Sequence, residues 1–293
     1  MSKLFDISSN YFDAYFNPEK IRKVELLILR LAIFSFLLHL LIIFLGNNVV
    51  YFKNFQHSYL KAIYTPFSFI LFYEVFLLVI IIPKSISEFI GKQFEVITLI
   101  TLRSFFHDIA DLDLIRALDI NNPFFVSLLY DLAAALVMLG FTILYYRIYH
   151  KNSVTEQSSE LTNFIGIKKL VSLGMIVVLL ILSVISLYQW GSQMIDALRI
   201  NNNYPNPNSV FYVDFFSIMI FVDVLLLIVS FTYHFSFFTI FRNASFIITT
   251  ILIRISLTID KPMNYIVVLI GFLFSIIAFY LYSIRKLVNN KTV

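Results

Sequence analysis

The sequence predicts an all-α membrane protein: about eight transmembrane helices in two related four-helix halves, preceded by an N-terminal interfacial helix. Three observations predict it. Of 293 residues, 59% are hydrophobic and only 14% are Asp, Glu, Lys or Arg, with a mean hydropathy of +0.85. A soluble domain carries about 25% charged residues, enough to keep its surface polar. Apolar runs recur along the whole chain, each close to the ~20 residues that cross ~30 Å of hydrocarbon as a helix. The runs are also continuous, as in LVMLGFTILYY and IVVLLILSVISLY, and lack the period-two alternation of transmembrane β-strands.

The elements follow in order. Residues 1–23 carry Asp6, Asp13 and Glu19 and do not resemble a cleavable signal. Leu4, Phe5, Ser8, Tyr11, Phe12, Tyr15 and Phe16 fall at helical spacing, which predicts an amphipathic helix ended by Pro18. It either lies on the membrane or docks on the protein's own cytoplasmic face. Spanning helices are expected near 24–46, 62–83, 85–109, 123–149, 166–190, 211–233, 236–259 and 263–286. Pro83 with Lys84 marks a turn, and Pro123 and Pro262 each open a helix. The polar stretch KNSVTEQSSELTN is aperiodic and reads as a linker. The units are therefore 1–23, a first membrane unit 24–150, a linker 151–165, a second membrane unit 166–287 and a tail 288–293.

Basic residues gather at one set of helix ends: Lys20, Arg22, Lys23, Lys84, Lys92, Arg147, Lys151, Lys168, Lys169, Arg242, Arg285 and Lys286. Fewer lie opposite, at Lys53, Lys61, Arg116, Arg199 and Lys261. The positive-inside rule makes the first set cytoplasmic, with both termini inside. The net charge of +4 and pI near 9.0 reflect these ends rather than a nucleic-acid-binding patch. The abundance of Phe, Ile, Asn, Tyr and Lys looks like an AT-rich genome, which is a bias and not a mechanism. A bacterial inner membrane is the expected location. The expected partners are the lipid bilayer, a proton or small cation, and either a protein partner or a second copy of the chain. Asn and aromatics recur together in the opposite loops, near 46–52, 120–126 and 200–213, as turns beside an interfacial belt.

The halves look related. Ile21-Arg22-Lys23 opens one and Ile167-Lys168-Lys169 the other. Glu74 in FYEVFLLV matches Asp223 in FVDVLLLI, and Arg103 in TLITLRSFF matches Arg254 in TILIRISL. Four helices per half would make a parallel repeat about the membrane normal. A competing match joins 115–122 to 195–202, with Arg and Asp exchanged.

A charge at membrane depth costs at least ~2.5 kcal/mol, and so seeks a partner or water. Counting residues from the helix ends pairs Arg103 with Asp131 and Arg254 with Asp214 in one layer. In the other layer it sets Arg30 beside Glu74 and Glu95, and Arg242 beside Asp223. The Arg30 group holds two carboxylates against one arginine, unless Lys92 reaches in and cancels the excess. These ten residues form the expected charge network or ion pathway, with Glu74 as the foremost protonatable group. Mutually neutralising charges that only set helix register are the competing expectation.

His39, mid-helix in FLLHLLIIF, is expected to hydrogen-bond a neighbouring helix. HDIADLD offers Asp108, Asp111 and Asp113 as weak metal ligands, yet lacks the turn glycine and ligand count of a calcium loop. There is no Cys, which removes thiol catalysis and Cys-ligated metals. No HExxH, GxSxG, P-loop or GxGxxG appears, so neither an enzymatic activity nor a cofactor is implied. Four-helix units with an acidic second helix resemble voltage-sensor domains only in outline. Those repeat Arg every third residue, whereas Lys92 and Arg103 are 11 apart. The sequence therefore points to a channel or carrier for protons or small cations, or to a non-transporting scaffold, anchor or assembly subunit.

Overall fold

A computed structural model describes residues 2–48, 59–111, 123–152, 159–200, 211–232 and 237–289. Among these every regular element is helical: α1 (Ser2–Tyr15), α2 (Pro18–Asn48), α3 (Tyr64–Ile80), α4 (Ile86–Asp111), α5 (Pro123–Asn152), α6 (Ser159–Ile200), α7 (Phe211–Phe231), α8 (Phe237–Ser256) and α9 (Met263–Asn289). A 3-10 turn, Tyr59–Ile63, leads into α3. The stretch 153–158 of the expected linker and most of the Asn-aromatic loops lie outside the described residues.

Local chemistry sets several boundaries. Asn17 Oδ1 accepts the Lys20 N–H at 2.8 Å, capping α2, with Pro18 in the first position, where no N–H is missed. Ser85 Oγ accepts the Glu88 N–H at 3.1 Å, capping α4. Pro83 lies in the tight turn before it, closed by Lys84 N–H to Ile81 O at 2.9 Å.

Among the described residues, six helices are long and apolar enough to cross a bilayer: α2 throughout, and Phe125–Lys151, Phe164–Ser186, Asp214–Phe231, Phe237–Ser256 and Met263–Ile284 within α5 to α9. That is the character of a multi-pass membrane protein. Of the two other expected spans, α3 is apolar but shorter, at 17 residues, and α4 is long but carries Glu88, Lys92, Glu95 and Arg103.

The core forms where the α4–α5 hairpin meets the α8–α9 hairpin. Phe94 stacks on Phe272 at 3.7 Å between ring centroids, and Tyr145 on Phe279 at 5.5 Å. Phe246 closes the cluster against both Tyr145 and Phe279. Tyr145 is buried, and its hydroxyl donates to Ser87 O at 2.7 Å, so the ring does not strand a polar atom. Gly91 lets Tyr146 cross close to α4. A Cβ there would lie 2.8–2.9 Å from the Tyr146 ring and hydroxyl. On the other side, Ser172 Oγ on α6 donates to Val79 O on α3 at 2.7 Å. His39 Nδ1 on α2 meets Thr65 Oγ1 on α3 at 2.6 Å, the neighbouring-helix bond expected of it.

The N-terminal helix docks on the protein itself. Lys169 Nζ on α6 bonds Asp13 Oδ2 at 2.6 Å and Ser9 Oγ at 2.9 Å, and Phe12 is buried. Tyr11 and Tyr15 stack on each other and stay exposed, an aromatic pair suited to a headgroup layer.

Candidate functional site

Besides the Lys169–Asp13 contact, three groups of charges are held between helices among the described residues. The first joins α3, α4 and α5. Lys92 Nζ lies between two carboxylates: it pairs with Glu74 and, at 2.7 Å, with Glu95 Oε2. The Tyr146 hydroxyl donates to Glu95 Oε1 at 2.7 Å. Glu74, Lys92 and Tyr146 each lie six residues from the basic end of their helix, roughly 9 Å along the axis, so a single layer gathers them. The next residue, Tyr73, turns away and donates to Glu25 Oε2 on α2 at 3.2 Å. The layer thus runs sideways across four helices. Two ionised carboxylates against one ammonium leave one negative charge over. It is tolerable because the Glu95 side chain is 36% exposed, against 16% for Glu74 and 11% for Lys92.

The second group lies at the opposite end and joins α9 to α4 and α5. Lys261 Nζ, just ahead of α9, pairs with Asp108 Oδ2 on α4 at 3.0 Å and Asp131 Oδ2 on α5 at 2.8 Å. The Tyr265 hydroxyl on α9 donates to Asp131 Oδ1. Asp131 is fully buried, and both its oxygens are engaged, as burial demands.

The third group is a buried pair, Arg254 Nη1 on α8 with Asp223 Oδ2 on α7 at 2.7 Å, with side chains 1% and 2% exposed. The Arg254 Nε and Nη2 atoms and Asp223 Oδ1 form no hydrogen bond among the described residues. Beside the pair lies a cavity of about 30 Å³, large enough for a water molecule. Lys168, Asp223 and Thr250 line it, with an apolar ring including Ile86, Phe89 and Ile247. Lys168 is buried; its ammonium donates to Lys84 O at 2.9 Å and sits 4.6 Å from the Phe164 ring.

These contacts correct four pairings expected from depth. Lys92, not Arg30, is the partner of Glu74 and Glu95. Arg30 is exposed on α2 and has no partner among the described residues. The described contacts of Asp131 are Lys261 and Tyr265, whereas Arg103 is buried and engaged elsewhere. Arg254 takes Asp223 rather than Asp214, which is exposed in the first turn of α7, where a carboxylate suits the helix dipole. Arg242 is displaced from Asp223; it donates to Asn243 Oδ1 at 3.0 and 3.2 Å and lies over the Tyr282 ring. The common reason is that depth counting treats helices as parallel rods starting at one plane. Arg side chains instead reach back toward their helix N-terminus, and helix ends are staggered.

Asp108 is occupied by Lys261 and by Ser127 Oγ, which donates at 3.1 Å. The Asp111 side chain and Asp113 lie outside the described residues. Among the described residues no group of three or more His, Cys, Asp or Glu is placed to hold a metal ion.

Sequence reasoning missed Tyr146, Tyr265, Lys168 and Lys261 as partners. Lys168 and Lys261 register only as loop charges that orient the chain. Tyr146 and Tyr265 are two of 17 tyrosines, and a hydroxyl facing a carboxylate leaves no trace in hydropathy. Comparison with protein-family models, with curated proteins and with solved structures finds no match for this chain.

Proposed function

We propose that the chain crosses the membrane eight times in two related four-helix units with cytoplasmic termini, and passes protons or small cations. The Glu74–Lys92–Glu95 cluster is its binding site. One observation carries the reading: two carboxylates share one ammonium at membrane depth, and one of them is reached from outside. A leftover negative charge there must take a proton, a cation or water. Glu95 with its Tyr146 partner is the entry group and Glu74 the sheltered acceptor. Arg103 lies three turns beyond Lys92 on nearly the same face of α4, toward the Asp108–Lys261–Asp131 group. A bacterial inner membrane suits such a protein.

The test is flux in proteoliposomes under an imposed proton or monovalent-cation gradient, for the wild type and for Glu74→Gln and Glu95→Gln. The expected result is a wild-type flux above empty liposomes that both variants abolish. Wild-type flux equal to that of empty liposomes, in every gradient, sinks the proposal.

A second reading has its own observation. The Asp223–Arg254 pair is balanced one to one and almost wholly buried, as expected of a scaffold or assembly subunit whose charges fix helix register. That reading requires a protein partner or a second copy that co-purifies with the chain.

A further inference from the structure

Arg30 is one of the charges that the clusters leave out. α2 packs chiefly on α3 and the turn before it, so most of its surface faces outward. Lys23 and Arg30 are both exposed, and neither meets a counter-ion among the described residues. Seven residues apart, they are two helical turns from each other and share one side of α2. Leu26, Leu27, Leu31 and Phe34 on the same helix are exposed large apolar side chains.

We infer that this side of α2 binds an anionic phospholipid of the leaflet at the basic end. An arginine on a helix leans toward the helix N-terminus, here toward Lys23. Its apolar stem lies along the helix while the guanidinium reaches the headgroup layer. There the paired N–H donors of Arg30 fit a phosphate, and Lys23 adds a point charge beside it. The acyl chains lie along Leu26, Leu27, Leu31 and Phe34. Charge selects the headgroup: Lys23 and Arg30 outnumber Glu19, the exposed acid one turn before Lys23, and favour a net negative lipid over a zwitterion that brings its own ammonium. A second copy of the chain fits worse. A two-fold α2–α2 contact would bring Arg30 toward the partner's Arg30, like against like. This site is independent of the ion-binding reading and stands or falls separately.

The experiment places the full chain in bilayers of equal phosphatidylglycerol and phosphatidylcholine, extracts it mildly, and reads the retained lipids by native mass spectrometry. Phosphatidylglycerol is expected in excess on the wild type. Arg30→Gln should lower the ratio about fivefold, which corresponds to ~1 kcal/mol per basic side chain at an anionic surface. Arg30→Lys should keep most of the preference. Lys151→Gln, an exposed basic residue at the end of α5, should leave it unchanged. Equal ratios for wild type and Arg30→Gln overturn the inference. So does an equal fall with Lys151→Gln, which marks bulk charge, or an α2–α2 crosslink that Arg30→Gln abolishes without altering the lipids.

Discussion

The two halves handle an acid at membrane depth in opposite ways. In the second half one arginine meets one aspartate, both side chains almost wholly buried. In the first half one lysine serves two glutamates, a tyrosine hydroxyl assists, and one glutamate is over a third exposed. Glu74 and Asp223 therefore stand in different surroundings. A one-to-one pair is neutral and gains nothing by exchanging ions. A two-to-one cluster carries a charge that a proton or cation can balance. An acid within an apolar run is thus a poor guide to role, and local stoichiometry and exposure are better ones.

The largest effect should come from breaking the closed pair on one side. Arg254→Met leaves Asp223 buried without its cation, and the loss should be about 3–5 kcal/mol, the usual cost of stranding one member of a buried pair. Asp223→Leu with Arg254→Met should recover most of it, since a packed apolar pair does as well in a dry site. Lys92→Met should cost less, about 1–3 kcal/mol, because the Glu95 side chain is 36% exposed. Thermal unfolding in detergent measures all three. If Lys92→Met proves the more damaging, the contrast between the halves is wrong.

A smaller change probes the open cluster without touching a charge. Gly91→Ala places a methyl 2.8–2.9 Å from Tyr146. The ring must move, and its 2.7 Å bond to Glu95 must lengthen or break. A loss of about 1–3 kcal/mol is expected from the overpacking, along with altered flux. Gly140→Ala on α5 is the control. A Cβ there meets nothing within 4 Å, so stability should stay within about 1 kcal/mol, on the gaining side. Equal effects at the two glycines would mean that Tyr146 does not hold Glu95 in place.

The helices and their order were legible because hydropathy and proline record them directly. α4, α5 and α7 to α9 fall close to where apolar runs and Pro83, Pro123 and Pro262 put them, whereas α2 (Pro18–Asn48) and α6 (Ser159–Ile200) run well past the expected 24–46 and 166–190, and α6 takes in residues 159–165 of the expected linker. Most of the charges that matter were also legible, because an acid or arginine within an apolar run is conspicuous. Which charges meet was largely not. Hydropathy carries depth but neither stagger nor rotation, so Arg30 was set against Glu74 when it faces outward. Lys92 was noticed only as a possible intruder, and Lys261 only as a loop charge, yet each bridges two acids. The short α3 shows a related limit. Its apolar run reads as 62–83, but the regular helix covers only Tyr64–Ile80, flanked by a 3-10 turn and the Pro83 turn.

The smallest expected effect supplies the solvated end of the scale on which the two halves differ. Lys169 and Asp13 join α6 to α1 at 2.6 Å, but the Asp13 side chain is 61% exposed. Exposed pairs are worth about 0–1 kcal/mol, so a double-mutant cycle of Asp13→Asn and Lys169→Gln should give a coupling in that range. Salt should erase it, because near 1 M the screening length falls to about 3 Å. The same cycle on Asp223 and Arg254 should show a coupling several times larger that salt changes little, since buried pairs are screened much less than exposed ones. Screening therefore separates the cases better than distance does, as both pairs are within 2.6–2.7 Å. The Lys92–Glu95 coupling should fall between them, with partial salt sensitivity. A salt response as flat as that of Asp223–Arg254 would show that water and ions do not reach the first-half cluster, and would remove the access on which its ion-binding role depends.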